Sequence, residues 1–214
     1  MTRTGRPPVT SRAQILAAAR ELIDRDGWEK LTIRGLAGSL GIGATTLYHH
    51  VRDKEDLQIL LVSEYAEQIP HPVLPSAPRD RIIAAALALH GGLAAWPWVA
   101  EVVTTDGFLA RVGESALSLV DTIVTGAIDH GCTPDEAVHV FRSIWYYTSG
   151  EILVRARTAH RGVIPVDPDS AFFNLDPARM PGLAAVASRW GEVAQQDHYA
   201  QGLHAMVDGL LGRI

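Results

Sequence analysis

The chain has 214 residues, 47% of them hydrophobic, which is enough to fill one large domain or two small ones. Its single cysteine, Cys132, excludes a disulfide framework and suits a reducing compartment. The net charge of −5 argues against a nucleic-acid partner until its distribution is read. Residues 1–54 carry nine Lys/Arg against five acids, a net +4, and the remainder ten against nineteen, a net −9.

The elements read as helices nearly throughout. Ser11 with Gln14 makes a capping-box start, and Ile15, Ala18, Ala19, Leu22 and Ile23 follow at helical spacing until Gly27 stops the run. Thr32 is the next N-cap, opening a short helix through Leu36, Ala37 and Leu40 to Gly41. A third short helix covers about Ala44–His50, and Asp53, with Glu55 and Asp56 in the first turn, starts a fourth that runs toward Gln68. The proline-rich IPHPVLPSAP then separates the first four helices from the rest, predicting domains at 1–69 and 70–214.

Beyond it, helices are predicted at about Arg79–Ala95, Pro97–Thr105, Glu114–His130, Pro134–Arg161, Pro181–Gln195 and Asp197–Leu211. RGVIPVDPDSAFFNLDPARM, with its prolines and aspartates, reads as a loop. No β alternation or internal repeat is evident, so the fold class is all-α. The longest apolar run, Ile82–Leu89, is too short to cross a bilayer, and no secretory signal pattern is present. A cytoplasmic protein with no membrane partner is expected.

The second and third helices, joined by a tight glycine turn, have the spacing of a helix-turn-helix, whose second helix enters the major groove of DNA. That geometry needs a small residue where the helices touch, Ala37, and a glycine at the turn, Gly41. Leu36, Leu40, Ile42 and Leu47 fall at the anchoring positions. Ala44, Thr45, Thr46, Tyr48, His49 and His50 are then left on or beside the outer face, where small, polar and aromatic groups suit base edges and phosphates. Taken alone, Tyr48 reads as a core-edge aromatic and Lys54-Glu55-Asp56 as a solvated helix start. Adjacent histidines point about 100° apart on a helix, which argues against a metal site at His49-His50. Together, at this spacing, the residues favour DNA.

The same stretch resembles the tetracycline-repressor (TetR) family of transcriptional regulators, and its tetracycline-repressor branch in particular. The resemblance rests on L-T-x-R-x-L-A-x-x-L-G at Leu31–Gly41 and T-L-Y-x-H-V-x-x-K-x-x-L at Thr46–Leu57. Weaker likeness lies in D-H-G-C-T-P-D-E-A at Asp129–Ala137, M-P-G-L at Met180–Leu183 and Y-x-x-G-L at Tyr199–Leu203. It implies that Thr32 and Arg34 reach a base edge or phosphate, and that Thr45, Thr46 and Tyr48 belong to the recognition helix. It further implies that His50 lies near phosphate or packs beneath, and that Lys54 binds a phosphate. Ala44 and Thr45 replace the branch's glutamine–proline pair, so a different operator is expected.

For the C-terminal part, the residues give a stripe of Val138, Phe141, Trp145, Thr148 and Ile152, with Ile144 and Tyr147 beside it. Gly150 would admit a close helix. The last helix offers Leu203, Met206, Val207, Leu210 and Leu211. The resemblance implies that these two helices pair with their mates in a homodimer. Trp96, Trp98, Phe108, Phe141 and Trp145, with His90 and Thr105 among the polar groups, are candidates to line an effector cavity, although each aromatic reads equally well as core. The branch's magnesium-binding histidine has no counterpart near Val99–Thr105, so no metal or cofactor is expected and tetracycline is disfavoured.

Enzymatic readings find little support. G-x-S-x-G is absent, Gly41-Ile42-Gly43 lacks the third glycine of a dinucleotide loop, and Phe172 occupies the glycine position of a calcium loop begun at Asp167 and Asp169. The expectation is a homodimeric regulator, a repressor, that binds double-stranded operator DNA and is released from it by a small molecule. A regulator whose C-terminal domain binds a protein partner, or a small helical enzyme, are the alternatives.

Overall fold

The structure is a computed structural model describing residues 10–104, 107–161 and 170–212. Its described residues form helices and no strand: α1 (Arg12–Asp26), α2 (Ile33–Ser39), α3 (Ala44–Tyr48), α4 (Lys54–Gln68), α5 (Pro78–Ala95), α6 (Pro97–Val103), α7 (Glu114–His130), α8 (Pro134–Arg161), α9 (Pro181–Val186), α10 (Trp190–Ala194) and α11 (Tyr199–Leu211). Two compact units result, one from the described residues of Met1–Pro72 and Gly91–Asp121, the other from those of Val73–His90 and Thr122–Ile214. Segment 91–121 thus packs with the first four helices.

In the first unit, the local signals act as their chemistry requires. The backbone N–H of Gln14 donates to Ser11 Oγ while the Gln14 side chain accepts from the Ser11 N–H, a complete capping box. One face of α1 buries Ile15, Leu16, Ala19 and Ile23 against a core that also takes Leu57, Leu61, Val62 and Tyr65 from α4. Asp53 caps α4 by accepting from the Asp56 N–H at 2.7 Å. Gly92, at the end of α5, lies against Ile69, where any Cβ would meet side-chain carbons at 2.5 Å.

The second unit is built on α8 and α11. Phe141, Ile144, Thr148 and Ile152 of α8 are buried, as are Tyr199, Leu203, Val207 and Leu211 of α11. Tyr147 stacks on Tyr199 with ring centroids 5.3 Å apart and lies over Gly202, where a Cβ would meet its ring carbon Cζ at 2.9 Å. The close approach expected at Gly150 is therefore at Gly202, and Gly150 has nothing within 4 Å of a built Cβ. Val138, read with the buried stripe, is 49% exposed, and Tyr146 and Val154 of the same helix are exposed as well.

Pro181–Gln195 is not one helix. It breaks into α9, a 3-10 turn at Ala187–Arg189, and α10, and only Ala187 is buried, so little packing enforces a continuous α-helix.

Several carboxylates lie below their usual range. Asp208 is held down by the Arg79 guanidinium, Asp197 by the Tyr199 N–H, and Glu136 by the Thr133 N–H. A carboxylate that is more acidic folded than unfolded contributes stability above its unfolded pKa and loses it as pH falls through the folded value. Thermal midpoints should hold between about pH 5 and 7 and fall below about pH 4. A midpoint constant down to pH 3 would show these contacts contribute nothing.

Candidate nucleic-acid interface

Helix α2 starts at Thr32, whose Oγ1 accepts from the Gly35 N–H at 3.0 Å. Leu36 and Ala37 are its buried contacts, 0% and 2% exposed. It ends on Gly41, at φ +65°, a left-handed conformation that costs glycine little. The Gly41 N–H donates to Gly38 O and the Ile42 N–H to Ala37 O, at 3.1 and 3.0 Å, so the last carbonyls are satisfied as the chain reverses.

Only four residues, Leu40 to Gly43, separate α2 from α3. Of the five residues of α3, Leu47 alone is fully buried, and Val51 just beyond it, 1% exposed, is an anchor that sequence reasoning missed. Leu40 and Ile42, expected as anchors, are half-buried. Because Leu47 points inward, Thr45, Thr46, Tyr48 and His49 point outward, with Ala44 and His50 half-buried beside them. Tyr48 is 52% exposed, so its core-edge reading does not apply. An exposed tyrosine among two threonines and a histidine offers hydroxyl and ring donors at the depth of a groove.

The surrounding cations divide into two groups. Arg20 pairs with Glu64, Arg25 with Asp26 and Arg52 with Asp56. The Arg52 backbone N–H, then its guanidinium, holds the Asp56 carboxyl below the usual range. Arg12, Lys30 and Arg34 are exposed, with no such partner among the described residues, so their charge is available to a polyanion. Thr32 and Lys54 are less free than the sequence suggested. The Thr32 oxygen is engaged in the cap, and the Lys54 ammonium lies 4.2 Å from the Trp28 ring centroid, donating to the carbonyls of Trp28 and Glu29. A recess of about 350 Å³ beside this surface is lined by Leu22, Arg25, Lys30, Leu31, Thr32 and others, none of them an expected effector residue.

Residues 15–59 match the tetR family of bacterial regulatory proteins, and residues 72–214 match the tetracyclin repressor-like C-terminal domain. The chain belongs to the TetR family. It is a DNA-binding transcriptional regulator. A regulator of Saccharopolyspora erythraea is 39% identical over 100 residues, 46% of this chain and 42% of that protein, so the match spans less than half the relative's length. The class D tetracycline repressor of Escherichia coli is 27% identical over 207 residues, 93% of this chain and 88% of that one. Among solved structures, ActR of Streptomyces coelicolor in complex with (S)-DNPA has a TM-score of 0.73 at 19% identity, covering 95% and 98% of the two chains. That likeness shows the shared fold.

The residues expected around an effector fall in both units. Trp96 touches Tyr65 at 4.2 Å between centroids and Trp98 stacks on Trp28 at 5.9 Å, both within the first unit, where Phe108 is also buried. Phe141 and Trp145 stack on each other at 6.5 Å in the second unit. The ring partners of Trp96 and Trp98 thus come from α4 and the turn before α2. His90 Nε2 lies 2.7 Å from a Glu151 oxygen and its ring stacks on Tyr199 at 3.7 Å, so it is engaged within the core. Thr105 and the Asp167/Asp169 pair lie outside the described residues.

Proposed function

We propose that the chain is a homodimeric repressor, residues 1–69 reading DNA and 70–214 carrying dimerisation and effector binding. The outward row Thr45, Thr46, Tyr48 and His49 on a helix anchored by Leu47 carries this reading. The protein acts in the cytoplasm and performs no catalytic step. A repressor as relative and a ligand-bound structural neighbour support release by a small molecule. Val138, Tyr146 and Val154 of α8 are exposed in the single chain, and this uncovered apolar surface supports a two-fold partner on that helix.

Two heads related by such a dyad would read a near-palindromic operator with half-sites about one helical turn apart, or a multiple of it. Binding-site selection tests this directly. Wild type should return a palindrome, and Arg34→Ala and Thr45→Ala should each shift the preferred bases, by about 1–3 kcal/mol where a bidentate contact is lost. Identical motifs from all three proteins would remove both residues from base readout. Light scattering that shows a monomer bound tightly to one half-site would defeat the dimer.

A further inference from the structure

Trp28 lies outside the helix-turn-helix pattern, yet it connects three parts of the first unit. Its own 3-10 turn, Trp28–Lys30, immediately precedes Leu31 and the Thr32 cap of α2. Its ring stacks on Trp98 of α6 at 5.9 Å and 17° between planes, and Trp98 in turn meets Tyr65 of α4 edge-on at 5.5 Å. The same ring carries the Lys54 ammonium at 4.2 Å, and that ammonium donates to Glu29 O at 3.2 Å and Trp28 O at 3.5 Å.

Lys54 is the first residue of α4, where the unsatisfied N–H groups of a helix disfavour a positive charge. The Trp28 face and two backbone carbonyls supply the compensating negative potential. Two of the three ammonium protons are directed at those carbonyls, leaving one donor. A lysine held this way has lost most of its rotamer freedom before any partner arrives.

We infer that Trp28 is a positioning residue for DNA binding: it fixes the Lys54 ammonium so that the remaining donor meets a backbone phosphate of the operator. The inference rests on the proposed DNA-reading function and on the phosphate contact that the family resemblance implies for Lys54. Stacking on Trp98 holds the Trp28 ring in place, so the α6 residue contributes to DNA affinity without touching DNA.

Operator affinity measured against salt, together with thermal midpoints, tests the inference in Trp28→Leu, Trp28→Phe, Lys54→Ala and the double variant Trp28→Leu/Lys54→Ala. Lys54→Ala should lower the slope of log affinity on log salt by about one. An unchanged slope there sinks the phosphate reading itself. With that slope change established, Trp28→Leu should weaken binding about fivefold to tenfold, the size of a cation–π contact, and Trp28→Phe should restore most of the loss. In the Lys54→Ala background, Trp28→Leu should weaken binding no further. Equal losses in both backgrounds would reduce Trp28 to core packing, and Trp28→Phe as weak as Trp28→Leu would remove the ring from the account. Tighter binding by Trp28→Leu would overturn the inference, because the ring would then be withholding Lys54 from DNA.

Discussion

A chain ending before Tyr199 is expected to lose cooperative folding of its second unit. The deletion removes four side chains of α11 that are 0–5% exposed: Tyr199, Leu203, Val207 and Leu211. Losing a buried leucine of this kind costs about 2–5 kcal/mol. Tyr199 adds a polar penalty. Its hydroxyl, kept protonated by burial that pushes it up to about 12, lies 2.7 Å from the fully buried Thr148 hydroxyl. Without Tyr199 that threonine is left unsatisfied, for about 1–3 kcal/mol. The stacked faces of His90 and Tyr147 are uncovered as well. Together these losses reach the whole stability of a typical domain, about 5–15 kcal/mol. Circular dichroism should show no cooperative melt of this unit, and Leu203→Ala in the full chain should lower the midpoint by several degrees. A truncated chain melting within a few degrees of the intact one would make α11 an accessory.

The parts of this architecture that the sequence announced are those whose causes lie within one helical turn. Ser11 and Gln14, Thr32 and Gly35, Asp53 and Asp56 are cap pairs three residues apart, so each start can be read from a short window. Gly41 is equally local, because the turn it makes bonds back only to Gly38 and, through Ile42, to Ala37. The surface of α3 followed from Leu47 pointing inward. What stayed hidden depends on partners far along the chain. Lys54 is separated by 25 and 26 residues from the carbonyls that hold it, and His90 by 61 from Glu151. No periodicity contains those pairs. That Trp96 meets Tyr65 and Trp98 meets Trp28 is likewise decided by packing between segments distant in the chain. Trp28 itself carried one faint sign, an aromatic between Gly27 and the Thr32 cap.

Leu47→Ala is expected to abolish specific operator binding while leaving the second unit folded. Helix α3 has five residues, far below the length at which an isolated helix persists in water. Its N-cap is Gly43, which offers no side-chain bond, so tertiary packing must hold the helix. Within α3 that packing is Leu47, 0% exposed. Truncation to alanine removes about 2–5 kcal/mol of burial and leaves a cavity beneath the residues assigned to DNA. Thr45, Thr46, Tyr48 and His49 would then have to be ordered upon binding, a cost set against the contacts they make. Operator affinity should fall about a hundredfold or more, equivalent to roughly 2.7 kcal/mol, while affinity for unrelated DNA falls far less. Leu47→Met, close in volume, should retain most of the specific affinity. Melting of the second unit should be unaffected in both variants, since Leu47 belongs to the first unit. If Leu47→Ala binds its operator within about threefold of wild type with the same preferred bases, α3 is not the reading helix, because a helix without its anchor could not hold that geometry.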